Sequence, residues 1–317
     1  MNEVLKKILS KKGEGEFDVA VMYSGGKDSA YLLYLMKEVY HLRVVAVMVD
    51  NGFEHDYAWE PMSNFAKKMG VPCKIICPDA QMFKDFFRML IMEHENFQKP
   101  GINHVCFICN NILWCCVAKF AMESGIPYVV SGLSLAQLNS GRSVPLMPNE
   151  LANAIAEKST RIIYRNALEG MKQTKIYQGN EEFQSFIGKF SEAIASVTTV
   201  YPYIYHSISL SDQKALLKEL DWQPPSLRSI DQYISSGCRI MKEAIRELEK
   251  LGMITINERE QAKSMVENGL MDKKFLEGTD LDVSKDPIDL TGNIFHELEL
   301  TEYLAKLCQE RGKEYIL

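Results

Sequence analysis

The sequence lacks the features that mark membrane proteins, exported proteins and proteins that bind nucleic acid through a broad basic surface. No apolar run approaches the ~20 residues that a membrane-spanning helix needs. The N-terminal segment MNEVLKKILSKK has neither the apolar stretch nor the small-residue cleavage site of a signal peptide. With 36 Lys and Arg against 42 Asp and Glu, the net charge is −6, so no general basic face is expected. We therefore expect a cytoplasmic protein without a membrane partner.

The 317 residues have room for two cores, and the hydrophobic pattern changes near residue 148. Before that point short apolar runs (residues 17–23, 43–49, 72–77 and 128–131) alternate with helical periods, which is typical of βαβ units. After it, residues 150–173, 181–196, 211–220, 239–251 and 258–268 favour a helical period. We predict an α/β fold, a Rossmann-like parallel sheet in residues 1–147 followed by a mainly helical region, 148–317, that contributes to the substrate site.

A glycine-rich turn between the first predicted strand and its helix is the strongest functional signal. It fits neither a Walker A loop nor a dinucleotide fingerprint, because both spacings are missing. Two glycines allow backbone N–H groups to approach an anion, and the helix N-terminus adds partial positive charge. Asp28 is expected either to ligate Mg²⁺ or to cap the helix. The residues of this predicted phosphate site are Ser24, Gly25, Gly26, Lys27, Asp28 and Ser29.

The run SGGKDS resembles the PP-loop of the ATP pyrophosphatases, over roughly residues 17–132. This resemblance implies that the loop grips the β- and γ-phosphates of ATP, with Mg²⁺, while a substrate oxygen attacks the α-phosphate. The products are an adenylated substrate and pyrophosphate. It gives Lys27 and Asp28 a part in catalysis. It also implies adenosine binding near Met48 and Asp50, at the end of the second strand, and near Gly132. The Gly-His-x-x-Asp-Asp motif common in the superfamily is missing after Gly132.

Three of the eight cysteines stand apart by their context. Cys106 and Cys109 form a CxxC at a predicted helix start, where the helix dipole favours a thiolate. No second CxxC or His pair completes a zinc ribbon. Cys238 begins another predicted helix, and a CxxC with one distant Cys resembles the arrangement in thiolating PP-loop enzymes. In those enzymes the cysteines either carry a persulfide or hold a [4Fe–4S] cluster by three ligands. We expect the other five to be inert thiols.

The favoured interpretation is an ATP-dependent sulfurtransferase that adenylates a carbonyl oxygen and then replaces it with sulfur. A small planar substrate such as guanine is expected, rather than tRNA, because no basic or zinc-ribbon extension is evident. Trp222 is a candidate for stacking on it, against the alternative of a Trp packed over a turn. A persulfide or sulfide donor is implied, and a homodimer is compatible with the sequence. The alternatives are an amidotransferase, a tRNA base thiolase and a non-enzymatic nucleotide-binding regulator.

Overall fold

The central element of the fold is a five-stranded parallel sheet. The computed structural model describes residues 2–97, 103–133, 138, 149–206, 208–224, 237–254, 266–267, 273 and 287–317. Every pairing within the sheet is parallel, as the sequence predicts. The strands are β1 (Val19–Met22), β2 (Val44–Val49), β3 (Cys73–Ile76), β4 (Tyr128–Val130) and β5 (Thr198–Val200), and they lie in the order β3-β2-β1-β4-β5.

Helices cover both faces of this sheet. Along β1, Val19 and Val21 belong to one buried apolar cluster and Ala20 to the other, the alternation expected of a strand covered on both sides. The helices of this part are α1 (Glu3–Ile8), α2 (Lys27–Tyr34), α3 (Asp56–Lys68), α4 (Ala80–Met92) and α5 (His104–Glu123). A π-helical turn, Leu35–Val39, follows α2, and a 3₁₀ turn, His94–Asn96, follows α4.

The described chain after residue 148 is mainly helical, as predicted. A 3₁₀ turn, Pro202–Ile204, follows β5, and a π-helical turn, Ile240–Ala244, precedes the helix that begins at Ile245. The predicted helix 258–268 falls outside the described residues except at 266–267. The remaining elements are α6 (Ala152–Lys172), α7 (Lys175–Gln178), α8 (Glu181–Gly188), α9 (Phe190–Ser196), α10 (Leu210–Glu219), α11 (Ile245–Lys250), β6 (Ile288–Asp289), α12 (Asn293–Glu297), α13 (Thr301–Glu310) and β7 (Tyr315–Ile316).

The sheet draws its last strand from the part of the chain that the sequence indicates as helical. Thr198 to Val200 pair with Tyr128 to Val130, so the sheet does not end with residue 147. Asn153 of α6 fixes this strand, because its side-chain amide donates to Thr199 O and accepts from Tyr201 N, both at 2.9 Å. The division at 147/148 stays a prediction, but the parallel sheet spans it.

The order of the strands places a ligand crevice at the end of β1. β2 lies on one side of β1 and β4 on the other, so the direction of winding reverses there. In open α/β sheets ligands bind outside the carboxyl ends of the strands at such a switch point. The loop after β1 and Ser131-Gly132 after β4 both lie at this point.

Helix α5 forms the main packing layer on one face of the sheet. It is the one described helix long and apolar enough to cross a membrane, yet 61% of its most apolar window is buried inside the fold. Its indole at Trp114 donates a buried hydrogen bond to Thr199 Oγ1 at 2.9 Å. These features are those of a core helix, and they place the CxxC at its first turns.

Candidate active site

The predicted phosphate loop connects β1 directly to α2. Gly25 has φ +70°, and a Cβ there would meet the Met62 side chain at 2.0 Å, so both backbone conformation and space require glycine. Gly26 is the N-cap of α2, with no side chain capping the helix. No side chain therefore competes with a ligand at the start of α2, and helix starts of this kind bind anions in other proteins.

The Ser29 side chain connects the two ends of the phosphate loop by hydrogen bonds. Its hydroxyl donates to Gly26 O at 3.1 Å and accepts from Ser24 N at 3.2 Å, and it lies 3.2 Å from the Ser24 hydroxyl. These bonds bring the two ends of the loop together. The strand, loop and helix thus form the anion-binding geometry that the sequence predicts.

Asp28 does not cap α2, which corrects one of its two predicted roles. It lies inside the first turn of α2, after the N-cap Gly26. Its Oδ2 accepts from Lys27 Nζ at 2.6 Å, and its Oδ1 accepts from Gln213 Nε2 at 3.1 Å. The carboxylate is held at both oxygens rather than being turned back to the helix start.

A cavity of about 260 Å³ opens beside this loop. Met48 and Gly132 line it, as the predicted adenosine site requires, together with Ser24, Asp28 and Ser29 of the loop. Its other walls include Trp59, Met62, Asn110, Leu113 and Glu54. Three residues of the phosphate loop and two of the three predicted adenosine residues thus line one cavity.

Asp50 serves the turn after β2 rather than the cavity. Its Oδ1 accepts from Gly52 N at 2.8 Å, the pattern of an Asx turn, and its backbone N–H donates to Ile76 O. It is absent from the cavity wall. Its carboxyl takes part in the turn, and its adenosine-binding role stays a prediction.

The structure brings Cys238 to the CxxC helix. Residues 237–239 pair antiparallel with residues 53–55: Glu54 and Cys238 form a bridge, His55 N donates to Gly237 O, and Arg239 N donates to Phe53 O. Asn51 Nδ2 lies 4.0 Å from Cys109 Sγ, and Cys106 Sγ lies 3.8 Å from Met241 Sδ, three residues past Cys238. The three thiols form one group, which we call the thiol cluster.

The expectation of a low thiol pKa is wrong for Cys109, and the pKa of the Cys238 thiol is raised as well. Burial, with the neighbouring Cys238 and Cys106 thiols, raises the pKa of the Cys109 thiol well above its ordinary value. Burial and the nearby Glu54 carboxylate raise the pKa of Cys238 to about 12. A helix N-terminus contributes about 0.3–1 kcal/mol near the surface, which is less than the cost of burying a thiolate.

Glu54 is a site residue that the sequence interpretation missed. It lines the cavity and its backbone pairs with that of Cys238. Burial and the nearby Asp50 carboxylate raise the pKa of Glu54 to about 7, although Lys242 acts in the opposite direction. Its position five residues after β2, at the carboxyl edge of the sheet, was the available signal.

Trp222 does not offer a face to a substrate, which corrects its predicted role. The side chain is 2% exposed, and its indole N–H donates to Gly25 O at 2.9 Å. The ring is packed under the phosphate loop, so stacking on a planar heterocycle is not available. The sequence alternative of a Trp packed over a turn describes it better.

The thiol cluster does not form a ready-made metal site. Among the described residues, no group of three or more His, Cys, Asp or Glu side chains is arranged to hold a metal ion. The persulfide and the three-ligand [4Fe–4S] cluster therefore both stay predictions.

Comparison with known proteins confirms the resemblance to the PP-loop ATP pyrophosphatases and their thiolating branch. The model of the family of unknown function DUF7411 matches residues 17–182. The tRNA-specific 2-thiouridylase MnmA of Fervidobacterium nodosum is 31% identical over 179 residues, 49% of each chain. The cytoplasmic tRNA 2-thiolation protein 1 of Saccharomyces cerevisiae is 25% identical over 56% of this chain and 48% of its own.

The matched part covers only a portion of these relatives. The chain spans about half the length of the curated relatives named above. Among solved structures, the U34-tRNA thiolase NcsA from Methanococcus maripaludis with its [4Fe–4S] cluster has a TM-score of 0.38 at 19% identity. That alignment covers 88% of this chain and 80% of NcsA. A likeness of this size carries nothing about the NcsA cluster over to the present thiols.

Proposed function

Because the chain belongs to the DUF7411 family and to the PP-loop ATP pyrophosphatases, we propose that it is an ATP-dependent, AMP-forming thiolase that acts on a base of tRNA. The observation that carries the proposal is that the predicted nucleotide cavity and the thiol cluster share walls. Asn110 and Leu113 of the CxxC helix line the cavity, and so does Glu54, whose backbone pairs with Cys238.

The curated relatives named above act on tRNA, and this favours RNA over the small planar molecule expected from composition. The absence of a basic extension in the sequence does not outweigh two relatives of this kind. A net charge of −6 describes the whole chain and not the rim of one cavity. We therefore place tRNA first, in the cytoplasm, and keep a free nucleobase as an outcome of the experiment.

The first chemical step activates the carbonyl carbon of the base. A base carbonyl oxygen attacks the α-phosphorus of ATP, the bond to the β-phosphate oxygen breaks, and pyrophosphate leaves with that electron pair. The loop N–H groups, Ser24, Ser29 and Lys27 stabilise the negative charge on the leaving pyrophosphate. Mg²⁺ accompanies the nucleotide. The adenylated oxygen is then a good leaving group, which an amide-like oxygen is not.

The second step transfers sulfur. The terminal sulfur of a cysteine persulfide attacks the activated carbon, and AMP departs with the oxygen and its bonding electrons. A second thiolate of the thiol cluster attacks the carrier sulfur, so the persulfide S–S bond breaks and a disulfide forms. An external thiol must reduce that disulfide before the next turnover. Glu54 lies against Cys238 and accepts the proton that a buried thiol loses on becoming a nucleophile.

The test is a reaction with ATP, Mg²⁺, a persulfide donor and unmodified tRNA, followed by nuclease digestion and mass spectrometry. We expect AMP, pyrophosphate and a nucleoside heavier by the difference between sulfur and oxygen. Free guanine is run in parallel. Thiolation of guanine but not of tRNA overturns the choice of RNA, and replacement of oxygen by nitrogen establishes the amidotransferase alternative. Release of ADP and phosphate contradicts the mechanism.

A further inference from the structure

Three side chains from the region after β5 contact the phosphate loop: Tyr203, Gln213 and Trp222. They come from the 3₁₀ turn Pro202–Ile204, from α10 and from the segment just after α10. The inference rests on the proposed phosphate site and goes beyond it. We propose that these are positioning residues, which hold the phosphate loop in the shape that binds the pyrophosphate part of ATP.

Trp222 acts on the peptide between Gly25 and Gly26. A trans peptide is planar, so its carbonyl and the next N–H point in opposite directions. The indole N–H holds Gly25 O on the buried side of the loop, at 2.9 Å. The Gly26 N–H is thereby directed away from Trp222. A donor that would otherwise turn with the flexible Gly-Gly peptide is fixed for an anion.

The chain after α10 is shaped to deliver this indole. Asp221 has φ +57°, a left-handed conformation that Asp tolerates better than most residues. Lys68 Nζ pairs with the Asp221 carboxylate at 3.0 Å. Trp222 N then donates back to Leu217 O at 2.8 Å. The reversal at Asp221 places the ring under Gly25 instead of continuing along the helix.

Gln213 and Tyr203 act on Asp28. Gln213 is 3% exposed, and its Nε2 donates both to Asp28 Oδ1 at 3.1 Å and to the Tyr203 hydroxyl at 3.0 Å. The Tyr203 hydroxyl in turn donates to Asp28 O at 2.9 Å. A single small network therefore fixes the main chain and the carboxylate of Asp28. The network lies 175–185 residues away in sequence, so no local rule of the loop requires it.

The position of Trp222 is tested by Trp222→Phe, which keeps a buried aromatic ring and removes the donor. Trp114→Phe is the matched control, because Trp114 is equally buried and also donates one indole hydrogen bond, to Thr199. Both variants should lose similar thermal stability. Calorimetry with the Mg²⁺ complex of ATP should show binding roughly three- to tenfold weaker for Trp222→Phe only.

Gln213→Glu tests the second contact with a readout that a purely structural role would not move. The introduced carboxylate cannot donate to Asp28 and repels it, so ATP binding weakens at neutral pH. Acidification protonates one member of the carboxyl pair and restores a donor, since two adjacent carboxylates share a proton readily. The ratio of variant to wild-type affinity should therefore rise as the pH falls from 8 to 5.5, roughly tenfold. Gln178→Glu, at an exposed amide that donates to Lys172 O, should show a flat ratio.

The outcomes separate this inference from the proposed function. If the wild type binds ATP while Trp222→Phe binds it as Trp114→Phe does, the positioning role of Trp222 is wrong and the phosphate site stands. A flat pH ratio for Gln213→Glu rejects the second contact in the same way. If the wild-type protein does not bind ATP or pyrophosphate, the phosphate site itself is wrong and both proposals fall together.

Discussion

Ser29 shows how much of the phosphate site depends on one small side chain. Its hydroxyl both donates to Gly26 O and accepts from Ser24 N, so it closes the loop and also faces the cavity. The Lys27 ammonium is 2.6 Å from Asp28 Oδ2, so the charge offered to a phosphate is partly balanced within the loop. The site therefore relies on hydroxyl and N–H donors as much as on net positive charge.

Substitution Ser29→Ala should lower pyrophosphate formation about 10²–10³-fold, the usual loss when one donor to a developing charge is removed. The measurement is the initial rate of pyrophosphate release with tRNA and ATP. Ser159→Ala is the matched control, because the Ser159 hydroxyl donates to Ile155 O within α6. A rate for Ser29→Ala within a few-fold of Ser159→Ala would contradict the assigned role.

The thiol cluster allows the sulfur mechanisms to be distinguished one cysteine at a time. The three variants are Cys106→Ser, Cys109→Ser and Cys238→Ser. If a persulfide carries the sulfur, thiolation should stop in the variant that lacks the carrier cysteine and in the variant that lacks the cysteine that attacks it, while pyrophosphate release continues. The protein purified without oxygen should be colourless and free of iron. Cys308→Ser, at a buried thiol of α13, is the control and should thiolate normally.

A brown protein that loses iron with each of the three substitutions would show that the cysteines hold an iron–sulfur cluster instead of carrying a persulfide. Normal thiolation by all three variants would make the cysteines bystanders. That result would bring the amidotransferase alternative forward. Pyrophosphate release is followed in every variant, so that damage to the nucleotide site is not mistaken for loss of the sulfur carrier.

At the scale of helices and strands, the sheet depends on α6 for its last strand. β5 has three residues, which is too short to order itself, and Asn153 bonds to the backbone at Thr199 and Tyr201. Asn153→Ala should lower the free energy of unfolding by at least about 2 kcal/mol, because two buried backbone groups lose their partners. Urea denaturation measures this. Asn96→Ala, whose amide bonds to Glu93 O at an exposed turn, should cost less than about 0.5 kcal/mol.

An unchanged denaturation midpoint for Asn153→Ala would show that β5 is held by other contacts. The variant also distinguishes the stability of the sheet from nucleotide binding. Gly132 follows β4, whereas β5 contributes to the sheet by pairing with β4. Adenine nucleotide binding should therefore fall less than stability does. Calorimetry on the folded variant at low temperature checks that order of effects.

The elements differ in how far the sequence could predict them. The strand, loop and helix around Gly25 follow from local signals, an apolar run, a Gly-Gly turn and a helical period, and all three are found. β5 was missed because three residues between helices carry no period of two. The meeting of Cys238 with Cys109 depends on pairing between residues 53–55 and 237–239, which spacing along the chain does not encode.

The wrong expectations at the site share one physical cause. The pKa of the Cys109 thiol and the role of Trp222 both depend on what surrounds a side chain in three dimensions. Burial decides both. Sequence position near a helix start or a strand end shows where a group lies along the chain. It does not show whether water reaches it.

The pH dependence of stability belongs to the whole molecule, and two carboxyls act on it in opposite directions. Burial alone would raise the pKa of Asp18, but hydrogen bonds from the Arg43 side chain and backbone and from Gly13 N–H hold it well below its usual value. Burial raises the pKa of Glu54 to about 7. Asp18 therefore stabilises the fold once it is ionised, whereas Glu54 stabilises it only while it is protonated.

The directions of these two pKa shifts determine how the stability contributed by each carboxyl changes with pH. The stability from Asp18 is present above its unfolded pKa of about 4 and is lost as the pH falls further toward its folded value. The stability from Glu54 is full below its unfolded pKa of about 4.5 and is lost as the pH rises through 7, by at most about 3 kcal/mol. By themselves these two groups favour a maximum between about pH 4 and 5. Burial acts in the opposite direction on four histidines, because it lowers their pKa values and so removes stability as the pH falls below about 6.5: His55, His94, His104 and His206.

Thermal unfolding from pH 3 to 8 tests this profile. Glu54→Gln should remove the decline in stability between pH 5 and 7, because the amide stays neutral, while the acid limb stays as in the wild type. Asp18→Asn should weaken the loss of stability below about pH 4 and leave the Glu54 contribution between pH 5 and 7 unchanged. Glu60→Gln, on the exposed face of α3, should change neither. A Glu54→Gln profile that runs parallel to that of the wild type between pH 5 and 7 would mean that the Glu54 carboxyl ionises as an exposed group does, and would remove it as the proton acceptor for the thiol cluster.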